Sequence, residues 1–213
     1  MGGYIMCERL KFENEAYQHG KKIIVGLDEA GRGPMAGPLV VGAVIFDKNF
    51  YHEEINDSKK LSEKKREMLY ELIIQNALAY QIEIIDVHEV DQLNVYQASK
   101  QGMIRAIEHI SLKPDYALTD AVPLGDVIEH QAIVKGDALS MSIAAASILA
   151  KVTRDRIMKE YDELYPEYGF AKHKGYPTLQ HKEALKKYGV TPIHRHTFQP
   201  VIEVLNQQLS FDL

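Results

Sequence analysis

Two adjacent acids, Asp28 and Glu29, stand where an apolar run meets a glycine-rich turn, in Ile23-Ile24-Val25-Gly26-Leu27-Asp28-Glu29-Ala30-Gly31-Arg32-Gly33-Pro34. The first five residues are apolar and β-prone, which predicts a buried central strand. A carboxylate at the end of such a strand is costly to desolvate unless a cation meets it. Successive strand residues face opposite sides, so the two acids converge only if the strand ends at Asp28. The Ala-Gly-Arg-Gly-Pro sequence supplies that end. Strand-end acids, permissive backbone and one arginine point to a cation-dependent site acting on a phosphate.

A chain of 213 residues fits one compact α/β domain with a full apolar core. No apolar run approaches the roughly 20 residues of a membrane span, and the N-terminus lacks a secretory apolar region. The single cysteine, Cys7, forms no internal disulfide, and no cysteine cluster exists to hold zinc. A cytoplasmic monomer without membrane contact is expected. The net charge of −5 does not announce a nucleic-acid binder, but its distribution does more. Six Lys/Arg face two acids between Tyr165 and Pro200, and Lys59, Lys60, Lys64, Lys65 and Arg66 form a second basic cluster. Basic patches on an acidic body suit local phosphate contact, although solvated helix faces would account for either patch alone.

The pattern predicts an arm or short helix over 1–20, then strands over 23–28 and 39–46 joined by the Gly/Pro-rich turn. Ser62 is expected to cap a helix over 63–79 with Met68, Leu69, Leu72 and Ile73 on one face. A strand over 82–87, a helix over 94–110 and strands over 116–119 and 127–134 follow. A long helix over 139–164 carries Ser142, Ala144, Ala145, Ala146, Ser147 and Ala150, small residues that fit close packing on a sheet. Helices over 178–188 and 199–209 form a C-terminal helical layer. The fold class is α/β: a mixed central sheet flanked by helices.

Asp120 ends the short strand Tyr-Ala-Leu-Thr-Asp, as Asp28 ends the first. Asp137 follows Val134-Lys135-Gly136 and either joins the other acids or caps the long helix. Asp126 reads as a turn acid. Ligands of open α/β sheets bind outside strand ends, where Asp28, Glu29, Asp120 and Asp137 can converge. Such acids repel unless cations share the site, and oxygen-only ligation selects Mg²⁺ or Mn²⁺ over zinc. Two such ions about 3.5–4 Å apart activate water and stabilise a leaving phosphodiester oxygen.

Other motifs are weaker. Gly26-x-x-x-x-Gly31-Arg32-Gly33 lacks the Lys-Ser/Thr pair of a P-loop, and the glycine spacing also misses the dinucleotide fingerprint by one residue. His173, His181, His194 and His196 lie in the basic segment; without cysteine partners, surface or phosphate contacts are favoured over zinc. Ser58 near Lys60 and Ser147 near Lys151 recommend no covalent nucleophile, since Ser147 falls in the small-residue helix.

The chain resembles the type 2 ribonucleases H, the bacterial ribonuclease HII family. The resemblance rests on Gly26–Pro34, Asp57-Ser58-Lys59-Lys60-Leu61, Leu93–Ser99, Lys135-Gly136-Asp137, Ser142–Asp155, His173–Thr178 and Pro192–Phe198, in the family's order and over about residues 22–200. It implies a ribonuclease H-like fold and places the family's metal-binding acids on Asp28, Glu29, Asp120 and Asp137, with two Mn²⁺ or Mg²⁺ ions during catalysis. It further implies cleavage of RNA in RNA–DNA hybrids and incision of duplex DNA 5′ to an embedded ribonucleotide, leaving 3′-hydroxyl and 5′-phosphate ends. Gly31, Arg32 and Gly33 would sense the ribose 2′-hydroxyl and Tyr176 would pack on the adjoining sugar. Lys59, Lys60, Asn94 and Lys174 would contact substrate. Ala121 departs from the glycine that many relatives carry after the third acid.

The resemblance implies an N-terminal arm over 1–22, a catalytic domain over 23–165 and a basic helical segment over 166–207 packed on it. The arm is shorter than the separate substrate-binding domain of type 3 ribonucleases H, which favours type 2. A type 3 enzyme and a catalytically silent hybrid-binding module are the alternatives. The last residues, Gln208-Leu-Ser-Phe-Asp-Leu213, resemble the Gln-Leu-x-Leu-x-Leu peptides that dock on bacterial sliding clamps, so 208–213 is expected to serve as a clamp-binding tail. The alternative is that Leu209, Phe211 and Leu213 pack on their own domain.

Overall fold

The computed structural model describes residues 8–211, with the side chains of 208–211 excepted. Five strands form one sheet, in the order β3-β2-β1-β4-β5: β1 (Ile24–Ala30), β2 (Leu39–Ile45), β3 (Ala79–Ile85), β4 (Tyr116–Asp120) and β5 (His130–Ile133). β1 runs antiparallel to β2 and parallel to β4, and β4 runs parallel to β5, so the sheet is mixed as expected. Helices α1 (Lys11–Gln18), α2 (Glu63–Asn76), α3 (Val87–Leu93), α4 (Val95–His109), α5 (Gly136–Leu139) and α6 (Met141–Leu164) are interspersed with the strands or follow them. α7 (Phe170–His173), α8 (Leu179–Tyr188) and α9 (Gln199–Phe211) complete the chain.

Two compact units divide these elements. The first comprises the chain through Ala30, Val40–Glu83 and Ser99–Val152; the second comprises Gly31–Leu39, Ile84–Ala98 and the chain from Thr153 onward.

In the first unit, the small-residue start of α6 packs on the sheet because both partners give way. A Cβ added at Gly26 of β1 would lie 2.2 Å from the Ser142 carbonyl carbon, and one at Gly42 of β2 would lie 2.3 Å from the Ala146 oxygen. Glycine inside a strand marks such a close backbone approach. Around this contact Val44, Ile55, Leu69, Ile73, Ala145 and Leu149 form a buried cluster. In the second unit, Ala36, Met158, Tyr168, Phe170, Ala184 and Ile193 form one cluster, and Met35, Leu185, Val201 and Val204 another.

Several local expectations shift. β1 does not stop at Asp28: pairing with β2 continues to Ala30 opposite Val40, while pairing with β4 ends at Leu27 opposite Thr119. β3 ends before Asp86, whose side chain accepts from Glu89 N–H at 2.8 Å and starts α3, an Asp-x-x-Glu capping signal that the sequence reading passed over. β5 is shorter than 127–134 because Gly125–Val127 is a 3₁₀ turn. Ser62 does cap α2, accepting from Lys65 N–H at 3.3 Å, but Met68 is exposed rather than part of the buried face.

Candidate active site

Asp28, Asp120 and Asp137 come together in the first unit. Asp28 lies one residue beyond the end of the β1–β4 pairing, Asp120 is the last residue of β4, and Asp137 sits in α5 just after β5. One carboxylate oxygen from each lies within 4.8 Å of the other two. Asp28 and Asp137 are buried and Asp120 is half-buried. Local bonds hold each acid. Asp28 Oδ1 accepts from Glu29 N–H at 2.7 Å, Asp120 Oδ1 accepts from Gly136 N–H at 2.8 Å, and Asp137 Oδ2 accepts from Lys59 Nζ at 2.9 Å. The cap of α5 is Lys135, with no side-chain bond, and Asp137 is paired with Lys59 instead.

Burial, then the charges of Glu29, Asp120 and Asp137, pushes the Asp28 carboxyl well above its ordinary range. Burial alone would lower Lys59, but its hydrogen bond to Asp137 and the nearby acids outweigh that and hold it above its usual value. Asp57 fixes the turn that delivers this lysine by accepting from Lys59 N–H at 2.9 Å. Lys60 is exposed, with Nζ 4.0 Å from Asp57.

Glu29 is not in the triad. β1 continues past Asp28 and Glu29 pairs opposite Val41, yet its charge acts on Asp28 more strongly than those of Asp120 and Asp137. The backbone beside the acids carries strain: Ala121 and Lys135 have φ of 58° and 59°. Glycine adopts that left-handed region freely, whereas alanine costs roughly 1–2 kcal/mol there. This explains why a glycine suits position 121.

The Gly31-Arg32-Gly33 turn belongs to the second unit, with Asn94, Lys174 and Tyr176. Gly31 has φ of 105°, and a Cβ there would lie 2.4 Å from Arg154 Nε, so both conformation and space require glycine. Arg32 and Gly33 are exposed. Two buried arginines, Arg154 and Arg195, anchor the loop through main-chain carbonyls. Arg154 donates to Pro38 O, Ala36 O and Lys174 O at 2.9, 3.0 and 2.8 Å. Arg195 donates twice to Gly37 O, at 3.0 and 2.8 Å, and to Arg32 O at 3.4 Å. Burial lowers them to about 10 and about 9, so both remain charged at neutral pH. Sequence reasoning missed both. The signal for Arg154 was its place in the four-residue series Ala146, Ala150, Arg154, Met158, one buried helix face.

The remaining candidates occupy defined positions. Asn94 Oδ1 accepts from the N–H groups of Tyr96 and Gln97 and so caps α4. Lys174 Nζ donates to Ala171 O at 2.6 Å. The Tyr176 ring is exposed, and a Cβ at Gly33 would stand 3.3 Å from its Cε1. The histidines overturn their surface assignment: His173, His181 and His194 are buried in an aromatic cluster with Tyr168 and Phe170, while His196 is exposed. Nearby main-chain groups and one another satisfy their ring nitrogens, which composition could not reveal. Among the described residues no helix is long and apolar enough to cross a membrane.

Oxygen donors clustered at strand ends of a mixed five-stranded sheet form a site suited to divalent metal in a ribonuclease H-like fold. The family model for ribonuclease HII matches residues 25–201. Ribonuclease HII of Acholeplasma laidlawii is 54% identical over 200 residues, covering 94% of this chain and 98% of its own. Among solved structures, ribonuclease H2 from Pyrococcus horikoshii superposes with a TM-score of 0.76 at 28% identity, covering 87% of this chain and 98% of that one. The ribonuclease HII in the PCNA complex from Archaeoglobus fulgidus gives 0.71 at 27% identity, covering 83% and 95%. The chain belongs to the ribonuclease HII family. It is an endonuclease of the type 2 ribonuclease H class, acts on RNA–DNA hybrids and uses divalent metal.

Proposed function

We propose that Asp28, Glu29, Asp120 and Asp137 hold two divalent ions, Mg²⁺ or Mn²⁺, and that the enzyme incises duplex DNA 5′ to a single embedded ribonucleotide. The observation that carries this reading is the triad of carboxylate oxygens within 4.8 Å, an oxygen-only donor set for hard cations. Lys59 Nζ, 2.9 Å from Asp137, marks the same place as cation-seeking. Bound there, the ions would supply Lewis-acid activation of water and neutralise charge at the leaving 3′ oxygen. Asp28 and Asp137 provide buried anionic donors, Asp120 stays fixed to the start of α5, and Glu29 adds charge that reaches Asp28.

Selection falls to different residues. The Gly31-Arg32-Gly33 turn, exposed at Arg32 and Gly33, offers backbone to a 2′-hydroxyl, the group that separates RNA from DNA. Tyr176 offers an exposed ring for the adjoining sugar, Lys59, Lys60 and Lys174 contact phosphates, and Asn94 is a further substrate contact. The products carry 3′-hydroxyl and 5′-phosphate ends, which suits removal of misplaced ribonucleotides during replication and repair. The enzyme works as a cytoplasmic monomer, with residues 23–165 as the catalytic part and 166–207 as a C-terminal basic helical segment. Residues 208–213 dock on a sliding clamp. The α9 backbone is helical to Phe211, while the side chains of 208–211 and residues 212–213 lie outside the described residues. Deleting 208–213 is expected to weaken clamp pulldown and leave short-duplex cleavage unchanged; unchanged pulldown would refute docking. A duplex bearing one ribonucleotide, incubated with each metal, tests the main proposal. Incision lost in Asp28→Asn supports it, and binding without incision would favour the silent module.

A further inference from the structure

Tyr176 turns its ring to solvent while its main chain is held from the interior. The residue is 46% exposed. Its carbonyl oxygen receives Thr178 N–H at 2.8 Å and faces His181 Nδ1 at 2.9 Å. His181 Nε2 lies 3.1 Å from His194 Nε2, and His194 Nδ1 faces Thr191 N–H at 3.0 Å. The direction of this chain follows from its two ends. A carbonyl only accepts, so His181 carries its hydrogen on Nδ1 and has a bare Nε2. A backbone N–H only donates, so His194 Nδ1 accepts, the Thr191 hydroxyl at 2.8 Å donates to it too, and the ring hydrogen sits on Nε2. The hydrogen bonds therefore run one way, from Thr191 N–H through His194 and His181 to the Tyr176 carbonyl. Both rings must be neutral for this order, and burial does lower them, to about 3 at His194 and about 4 at His181.

The rings are also clamped laterally. His173 stacks on His181 at 4.3 Å and 13°, and Phe170 meets His181 edge-on at 5.2 Å and 89°. His173 accepts Gly175 N–H at 3.2 Å and faces Tyr168 O at 2.8 Å. The two residues before Tyr176 are in left-handed conformations, Lys174 at φ 52° and Gly175 at φ 82°. A strained approach of this kind persists only where surroundings fix it. Two buried polar rings are an expensive way to fill a core, and their hydrogen-bond chain ends on the peptide of an exposed aromatic residue.

We propose that His181 and His194 are positioning residues for Tyr176: their hydrogen-bond chain sets the tilt of its peptide, places its ring against Gly33 and thereby tunes recognition of the ribonucleotide junction. This rests on the reading of Tyr176 as a sugar platform. In His181→Asn the amide nitrogen takes the place of Nδ1 and keeps the donor to Tyr176; in His181→Gln it takes the place of Nε2 and loses that donor.

Steady-state cleavage of a duplex with one ribonucleotide tests the assignment in wild-type and Tyr176→Ala backgrounds, with thermal melting of each variant. His181→Gln is expected to lower kcat/KM about tenfold, mainly through KM, consistent with loss of one buried hydrogen bond. His181→Asn should stay within about twofold of wild type, and His181→Gln should cost nothing further in Tyr176→Ala. Additive losses, or equal losses in Asn and Gln variants that track melting temperature, would show packing alone and overturn the assignment. No effect of Tyr176→Ala itself would overturn the platform reading, and the assignment with it. Nitrogen NMR of the wild-type imidazoles is independent of variant folding. Hydrogen on Nδ1 of His181 and Nε2 of His194 at neutral pH is expected, and the opposite tautomers would refute the chain.

Discussion

Replacing Asp28 with Asn should make the metal-free protein more stable while abolishing its activity. Asp28, Asp120 and Asp137 present oxygens within 4.8 Å of one another. At an effective dielectric of about 20, two unit charges at that spacing repel by roughly 3 kcal/mol. Lys59, 2.9 Å from Asp137, offsets the repulsion between Asp28 and Asp137, while Glu29 adds to that from Asp120. At least one such repulsion is left, together with the cost of burying Asp28 as an anion. Asparagine removes both and keeps an oxygen to accept from Glu29 N–H, now at 2.7 Å. Burying its amide returns part of the gain, leaving about 2 kcal/mol, or about 4–8 °C in melting temperature for a chain of this size. The assay is thermal unfolding in chelator and again in excess Mn²⁺ or Mg²⁺. Wild type should rise on adding metal, by about 3 kcal/mol at a hundredfold excess over Kd, and Asp28→Asn should rise much less, so their order reverses. A variant that melts below wild type in chelator would refute the repulsion argument.

Three further outcomes follow from the same physics. His181 and His194 have folded values of about 4 and about 3 against an ordinary 6.5, so the unfolded chain binds protons more readily. Stability should be complete above about pH 6.5 and fall as pH drops toward 4, by roughly 3 kcal/mol for His181 alone; urea unfolding that is flat between pH 7 and 4 would contradict this. Gly26→Ala should prevent folding or cost about 3 kcal/mol or more, since its Cβ would meet the Ser142 main chain at 2.2 Å; soluble expression and circular dichroism check it. Ala121→Gly, at φ 58°, should be neutral or stabilise by up to about 1 kcal/mol, which chemical denaturation would measure.

The sequence was most informative where chemistry and local pattern coincide. An acid at the end of an apolar run marked Asp28 and Asp120, and the small residues of α6 announced close packing on the sheet. Where β1 ends was not legible, because its last residues are held by β2, a partner chosen by tertiary pairing. That extension leaves Glu29 outside the 4.8 Å cluster of three, although its charge still reaches Asp28. Buried cations and histidines were the second blind spot. Carbonyls distant in sequence satisfy Arg154 and Arg195, while nearby main-chain groups and each other satisfy His181 and His194, all inside the second unit. Ala121 stood out as a departure from relatives, and its left-handed backbone supplies the reason.

The central claim is that clustered acids, with divalent metal, cut at a ribonucleotide junction. End-mapped cleavage of a DNA duplex containing one ribonucleotide, with Mg²⁺ or Mn²⁺ and with Asp28→Asn as control, tests it most directly. Incision 5′ to the ribonucleotide, with 3′-hydroxyl and 5′-phosphate ends and no product from the variant, is expected. Cleavage confined to longer RNA tracts, or undiminished cleavage by Asp28→Asn, would contradict it.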